Sequence, residues 1–188
     1  LAIGSAAALA DAGEDCERKI GEDAIKACSE VIQRGGNIAW AYYNRGVEQA
    51  NQGRNDEAIA DFTAAIRLRP TYFEAFNNRG IAYENKREFD RALADYSRAI
   101  DLEPTFAYPH NNRANIFKAR GEIDRAIAEY TRAIEIDATY ALAYSNRADA
   151  LNKKGDYDRA IADADHALTL NPDLADALAA RAAAHVGK

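Results

Sequence analysis

Apolar and polar residues alternate along most of the chain with the spacing of three and four residues that marks one face of an α-helix. Tyr42, Gly46 and Gln49 share such a face, and Phe62 and Ile66 share another further along the chain. Because strands would need strict alternation instead, the pattern predicts pairs of amphipathic helices.

The helical pattern repeats at a constant interval from residue 39 onwards. Two blocks carry the repeat. The first block occurs as Tyr43-Asn44-Arg45-Gly46, Asn77-Asn78-Arg79-Gly80, Asn111-Asn112-Arg113-Ala114 and Ser145-Asn146-Arg147-Ala148. The second block begins at Glu57, Arg91, Arg125 and Arg159, which are separated by the same interval. Four repeats without an insertion predict a stack of similar helix pairs.

A turn separates the two helices of each repeat. Glycine suits a left-handed helix C-cap, and it stands at this turn as Gly53, Gly121 and Gly155. Repeat two has Arg87 there, so we expect its turn to close in another way. Aspartates that could cap the second helices are Asp56, Asp90, Asp124 and Asp158. The ends of those helices are marked by Pro70, Pro104 and Pro172, with Ala138 in repeat three.

These residues, and the interval at which they recur, resemble the tetratricopeptide repeat (TPR), in the form of the tandem arrays common in bacteria. The resemblance implies an all-α fold, a right-handed α-solenoid of antiparallel helix pairs. It places four repeats at 39–72, 73–106, 107–140 and 141–174. Residues 11–38 are then an N-terminal capping helix or partial repeat containing a lone second helix, and residues 175–188 are a C-terminal capping helix.

The resemblance also implies a protein-interaction scaffold that binds a peptide or partner protein in a concave groove. In the family the first helices line this groove with the second, fifth, ninth and twelfth residue of each repeat. The corresponding residues are Trp40, Tyr43, Val47 and Ala50; Glu74, Asn77, Ile81 and Glu84; Tyr108, Asn111, Asn115 and Lys118; Leu142, Ser145, Asp149 and Asn152.

Each part of this surface has an alternative interpretation. Trp40 and Tyr43 suit a binding site, because aromatic side chains bury area at little entropic cost. Alternatively, Trp40 packs under the N-terminal segment. The asparagines of the middle repeats could pair with a peptide backbone, or they could form a solvated face.

The carboxylate clamp of chaperone-binding TPR proteins is not expected. Asn115 and Asn146 fall on its two asparagine positions. However, Asn111 and Asp176 stand where its lysines would be, and Ala180 stands where its arginine would be. A bound carboxylate would lose its charge-assisted hydrogen bonds.

Composition and motifs limit the other function classes. The formal net charge of −6 argues against a nucleic-acid partner, and no apolar run is long enough to span a membrane. No phosphate loop, nucleophile elbow or zinc motif appears, so we expect no enzyme activity, cofactor or metal. His110, His166 and His185 lie in different repeats without a partner at fixed spacing, and His166 fits a solvated helix face.

The N-terminal residues suggest export. Leu1 to Ala10 are uncharged and end in Ala8-Leu9-Ala10, which resembles the tail of a signal peptide. An Ala-rich tail without a targeting role is the alternative. In an exported protein Cys16 and Cys28 would form a disulfide, and otherwise they are unpaired thiols. We therefore expect a periplasmic or secreted protein, with a cytoplasmic one as the alternative.

Two further expectations concern packing and assembly. The arginine of each repeat is followed by an acid at a constant spacing, which predicts a ladder of ion pairs. The pairs are Arg45–Asp61, Arg79–Asp95, Arg113–Glu129 and Arg147–Asp163. The helix from Leu174 to Val186 is unusually Ala-rich. One terminus could therefore dock on a second copy, and the alternative function is a structural protein that self-assembles through its repeat ends.

Overall fold

The computed structural model describes residues 3–34 and 38–188, and for residues 3–10 it describes the backbone alone. Over these residues all regular structure is α-helical, and there is no strand. The helices are α1 (Ile3–Arg18), α2 (Gly21–Gln33), α3 (Ala39–Asn51), α4 (Asn55–Leu68), α5 (Phe73–Asn85), α6 (Phe89–Leu102), α7 (Ala107–Ala119), α8 (Ile123–Ile136), α9 (Ala141–Lys154), α10 (Tyr157–Leu170) and α11 (Ala175–Gly187).

The chain forms two compact units, Leu1–Leu102 and Glu103–Lys188. In the N-terminal unit, α1 packs with α2, α3 with α4, and α5 with α6. In the C-terminal unit, α7 packs with α8 and α9 with α10, while α11 packs on both α9 and α10. Short connections make the paired helices antiparallel. The fold is an all-α solenoid, as the repeat pattern predicts.

The N-terminal residues differ from the sequence prediction. Helix α1 runs without a break across residue 10, where composition suggested a boundary. The prediction of a lone second helix was wrong, because α1 packs along α2. Leu1, Ala2 and the segment 35–37 lie outside the described residues, and so do the side chains of residues 3–10.

Small residues recur in the first helices because large aromatic rings pack against them. Phe62 and Tyr96 are fully buried. A Cβ atom at Gly46 would lie 2.9 Å from the ring of Phe62, and one at Gly80 would lie 2.6 Å from the ring of Tyr96. Each ring comes from the second helix of the same repeat as the glycine. The Gly-to-aromatic contact therefore fixes how closely the two helices of a pair approach.

The turn of repeat two is the same as the glycine turns, so the expectation of a different closure was wrong. Arg87 has a φ of 62°, in the left-handed region that Gly53, Gly121 and Gly155 also occupy. The Arg87 amide donates to the Glu84 carbonyl at 2.8 Å, as the Gly53 amide donates to the Ala50 carbonyl at 2.9 Å. Arg87 is held in this conformation because the second helix of repeat two must begin at the same repeat position as the other second helices.

The aspartates predicted as caps lie inside the first turn of the second helices, so that prediction was wrong too. Helix α8 begins at Ile123, and its preceding residue makes no side-chain capping bond. The Asp124 carboxylate instead accepts a hydrogen bond from Lys154 Nζ at 2.6 Å. Lys188 bonds Asp158 in the same way at 2.6 Å. A negative charge near a helix N-terminus remains favourable without a capping bond.

The predicted ladder of arginine–carboxylate pairs is confirmed. Arg79 Nε and Nη2 donate to the two carboxylate oxygens of Asp95 at 2.7 Å and 2.8 Å, and Arg79 Nη1 donates to Thr63 Oγ1 at 3.0 Å. Each such arginine thus bonds the second helix of its own repeat, and Arg79 also bonds that of the preceding repeat. The other pairs are Arg45–Asp61, Arg113–Glu129 and Arg147–Asp163.

Candidate functional site

Trp40, the single tryptophan, belongs to the packing of the N-terminal helices. Its half-buried ring lies against a cluster that includes Cys28 and Val31. The ring also reaches to 4.0 Å from the position of a Cβ atom on Gly13 in α1. These contacts correspond to the alternative in which Trp40 packs under the N-terminal segment.

Tyr43 and the asparagines of α5 form an internal network. The Tyr43 ring stacks on Tyr72 with centroids 4.8 Å apart, and its hydroxyl accepts a hydrogen bond from Asn78 Nδ2 at 3.0 Å. Asn77 is buried and donates to Asn78 Oδ1 at 3.1 Å. Burial raises the pKa of Tyr72 to about 12, so its hydroxyl stays protonated at neutral pH. This network joins α3 to α5.

The remaining predicted residues of the N-terminal unit are half-buried. They include the apolar residues Val47 and Ile81 and the acids Glu74 and Glu84. Glu84 accepts a hydrogen bond from the Tyr96 hydroxyl at 2.6 Å. Burial raises the pKa of the Glu84 carboxyl. Glu84 is thus the hydrogen-bond acceptor of a buried tyrosine hydroxyl.

In the C-terminal unit, asparagines again connect neighbouring first helices. Asn146 Nδ2 on α9 donates to Asn111 Oδ1 on α7 at 3.0 Å. Asn111 is buried. The carbonyl oxygen of Asn115 accepts a hydrogen bond from the Tyr130 hydroxyl at 2.5 Å. These amide groups therefore form hydrogen bonds within the fold, so fewer of them can bond a peptide backbone.

One aromatic surface of the C-terminal unit is open. Tyr108 is 50% exposed and Leu142 is 44% exposed. The Tyr108 ring lies 5.0 Å from the Tyr140 ring and 5.3 Å from the Phe106 ring. Two of the predicted partner-binding residues, Tyr108 and Leu142, are thus accessible.

Three predicted residues come together at one groove of about 400 Å³, here called the C-terminal groove. Lys118 on α7 and Ser145 and Asp149 on α9 line it, together with Asn146. Lys118 Nζ donates to Asp149 Oδ2 at 2.9 Å. Burial pushes the pKa of Asp149 upwards, but the hydrogen bonds and positive charges of Lys118 and Lys153 together outweigh it and lower that pKa. Asp149 is therefore an ionised, paired carboxylate.

The opposite wall of the C-terminal groove comes from α11, which our sequence analysis did not assign to the site. Its lining residues are Asp176, Ala179, Ala180 and Ala183. Asp176, Ala179 and Ala183 stand one repeat interval after Leu142, Ser145 and Asp149. Continuing the repeat register into the last helix would have identified them. Asn152, the last predicted residue, donates from Nδ2 to the Ala180 carbonyl at 2.7 Å and holds α11 against α9.

His110 has a partner that the sequence did not reveal. It is buried, and its Nδ1 lies 2.8 Å from Glu129 Oε2. The other carboxylate oxygen of Glu129 accepts a hydrogen bond from Arg113 at 2.7 Å. The expectation that the histidines lack partners was therefore wrong for His110. His166 is exposed as expected, beside Tyr144 at 4.3 Å between ring centroids.

Two kinds of feature are absent from the described residues. No group of three or more histidine, cysteine, aspartate or glutamate side chains there could hold a metal ion. None of the helices in the described part of the chain is long and apolar enough to cross a membrane.

Comparison with protein families decides the family of this repeat. A model described as tetratricopeptide repeat matches residues 39–72, 73–106 and 141–174, which together make up more than half of the chain. The chain belongs to the tetratricopeptide-repeat family. A second model, described as TPR repeat, matches residues 114–155. TPR membership supports a general role as a protein-interaction scaffold.

Solved structures of other TPR proteins share the fold. A crystal structure of MamA is 26% identical, with a TM-score of 0.71, and the match covers 80% of this chain and 88% of that one. YrrB, described as a TPR protein with an unusual peptide-binding site, is 22% identical, with a TM-score of 0.67 and coverages of 86% and 83%. TTC0263 from Thermus thermophilus is 21% identical, with a TM-score of 0.72 and coverages of 88% and 90%. A search of curated proteins gives no match.

Proposed function

We propose that this TPR protein binds a peptide segment of a partner protein in the C-terminal groove, and that it acts by binding rather than by catalysis. The observation that carries the proposal is that Lys118, Ser145 and Asp149, from two successive first helices, line one open groove. The Ala-rich helix α11 forms the facing wall.

The size and chemistry of the C-terminal groove support a peptide ligand. Its volume of about 400 Å³ lies within the range of known ligand sites. It combines apolar methyl groups with a few polar groups, which is the usual composition of a selective site. Among the solved TPR structures, YrrB is described as having a peptide-binding site.

A selection from a random library of nine-residue peptides tests this proposal. Ala179 lines the groove and is exposed, so Ala179→Trp would fill the groove without disturbing the core. Ala162 is also exposed but lies on α10, a second helix, so Ala162→Trp is the matched control. We expect peptides selected by the wild type to bind the Ala162→Trp variant and not the Ala179→Trp variant. Equal binding to both variants would show that the groove is not the site.

We also propose that the protein is exported to the periplasm or secreted. The Sγ atoms of Cys16 and Cys28 lie 2.00 Å apart, and the bridge would join α1 to α2. Such bonds persist in oxidising compartments. Because both cysteines are buried, protein taken from its native cells is denatured in the presence of a first alkylating label, then reduced and given a second label. We expect the second label on both cysteines. The first label on both cysteines would favour the cytoplasm.

A further inference from the structure

The charges that line the C-terminal groove favour a particular class of peptide. Lys118 would be the natural partner of an anionic ligand, but its ammonium group already donates to Asp149 at 2.9 Å. Lys153 lies 3.4 Å from the same Asp149 oxygen. Both lysines are therefore engaged by one carboxylate, and an incoming anion would have to displace it.

Asp176 is in the opposite situation. It is exposed, lies in the first turn of α11 and lines the groove. Among the described residues it has no hydrogen bond and no ion pair, whereas Asp165 on α10 is paired with Arg181 at 3.0 Å. The groove thus holds one carboxylate that lacks a cation from the described part of the protein.

Ser145 provides a second and independent observation. It is only 2% exposed and it lines the same groove, yet its hydroxyl makes no hydrogen bond within the described part of the chain. Buried hydroxyl groups normally have partners, because leaving one unpaired is unfavourable. A hydroxyl can donate to a peptide carbonyl group or accept from a peptide amide, so a peptide backbone would complete it.

Between the Asp176 carboxylate and the Ser145 hydroxyl, the wall of the groove consists of methyl groups. Ala179, Ala180 and Ala183 supply it, and such short side chains let a backbone approach α11 closely. A large residue of the ligand would fill this space and keep the backbone away from Ser145. The wall therefore favours glycine, alanine or serine at the neighbouring positions of the ligand.

We propose that the C-terminal groove selects peptide segments that carry an arginine or lysine beside small residues. The Asp176 carboxylate binds the cationic side chain, and the Ser145 hydroxyl bonds the adjacent backbone. The inference rests on the proposed function, since it specifies the ligand of the same groove. Charge-assisted pairing with a carboxylate is the strongest contact the groove can offer to such a ligand.

The library selection described above tests this inference by the composition of the peptides it yields. We expect arginine and lysine next to small residues to be enriched among peptides that Ala179→Trp fails to bind. Groove-dependent peptides are those that bind the wild type and not Ala179→Trp. If these peptides carry no basic residue, the inference is overturned and the proposed function is left intact. A selection that yields no groove-dependent peptide would overturn both.

Fluorescence anisotropy with one enriched peptide and its citrulline or glutamine counterpart then tests the role of Asp176. We expect the uncharged peptide to bind the wild type about two- to fivefold more weakly, the range for an exposed ion pair. Asp176→Asn should weaken binding of the charged peptide by the same factor and abolish the difference between the two peptides. Asp173→Asn, in the exposed turn before α11, is the matched control and should change neither affinity.

Ser145→Ala separates the two contacts. The variant should weaken the binding of both peptides equally and keep the preference for the charged one, because the Ser145 hydroxyl bonds the peptide backbone. An Asp176→Asn variant that still prefers the charged peptide by the wild-type factor would overturn the assignment of the carboxylate.

Discussion

Polar side chains of the first helices fall into two groups according to what they bond. Asn78 and Asn146 reach across to the preceding first helix and hold the stack together. Ser145 and Asp176 have no such bond among the described residues and face the C-terminal groove. The same helix face therefore serves both packing and binding, and only individual contacts show which residue does which.

Arg87 offers a test of backbone strain at a single residue. Its φ of 62° is one that side chains with a Cβ atom adopt at a cost and glycine adopts freely. We expect Arg87→Gly to raise the free energy of unfolding by about 1 kcal/mol, measured by urea denaturation. The reverse change at the matching turn, Gly121→Arg, should lower it by a similar amount. A destabilised Arg87→Gly variant would contradict the strain argument.

Glu129 should make stability depend on pH. Burial pushes the pKa of Glu129 upwards, but the hydrogen bonds and positive charges of His110 and Arg113 together outweigh it and lower that pKa below its ordinary value. A carboxyl whose pKa is lowered by folding stabilises the protein above its unfolded pKa. That stabilisation is lost as the pH falls through the folded pKa.

The corresponding experiment compares the wild type with Glu129→Gln by urea denaturation at about pH 7 and about pH 3. We expect the wild type to be more stable at neutral pH and the two proteins to converge in acid. If the difference in unfolding free energy between the two proteins is the same at both pH values, the charge of Glu129 contributes nothing to stability.

At the scale of helices, arginine–carboxylate pairs connect the two helices of each repeat where TPR proteins usually have a buried leucine. The Asp95 and Asp163 carboxylates are nearly buried, so the desolvation they undergo must be offset by their arginines. The pair on α10 and α11, Asp165 and Arg181, is much more exposed. This exposed pair lies outside the ladder, and its expected contribution to stability is much smaller than that of the buried ladder pairs.

A double-mutant cycle on Arg79 and Asp95 tests this interpretation. We expect Arg79→Leu to lower the free energy of unfolding by about 3 kcal/mol, since it leaves a buried carboxylate unpaired. Adding Asp95→Leu should restore most of that loss. Arg181→Leu, at the exposed pair, should cost less than about 1 kcal/mol. Equal losses at the buried and exposed pairs would contradict the argument from burial.

At the scale of the whole molecule, the two compact units differ in what stabilises them and in what they offer to a partner. The N-terminal unit contains Cys16 and Cys28 and the aromatic cluster around Tyr43. The C-terminal unit contains the open groove and the Ala-rich helix α11. Changes in one unit can therefore be measured against the other as an internal control.

The cysteine pair should stabilise only the N-terminal unit. Closing a loop of this length contributes about 3 kcal/mol on the chain-entropy model. We expect the double variant Cys16→Ser/Cys28→Ser to lose hydrogen-exchange protection in α1–α3 and to keep it in α9 and α10. Reductant should have the same effect on the wild type and none on the double variant. A wild type that is indifferent to reductant would show that the bridge does not form.

Self-association through the last helix remains a prediction. Helix α11 exposes Leu178 and Val186 at 44% and 89% of their surface. We expect the sedimentation mass of the wild type to rise over the micromolar range and that of Leu178→Glu/Val186→Glu to stay monomeric. Deleting residues 1–10 tests the other terminus. A monomeric wild type at every concentration would rule out self-assembly as the function.

The sequence alone determined the repeat interval, the helix pairs and the arginine ladder. These features depend on spacing along the chain, because Arg45 and Asp61, and their equivalents in the other repeats, face each other in each of the four repeats. The ladder was predictable residue by residue for this reason. The choice of first-helix positions was also sufficient to find Lys118, Ser145 and Asp149 at the C-terminal groove.

Tertiary structure alone decided what each of those positions does. Three contacts depend on distances between neighbouring helices. They are the bond between Asn146 and Asn111, the bond between Lys118 and Asp149, and the closure of the groove by α11. The pattern of one repeat contains no information on those distances. The left-handed turn at Arg87 has the same origin, because the packing of the second helix outweighs the preference of one residue.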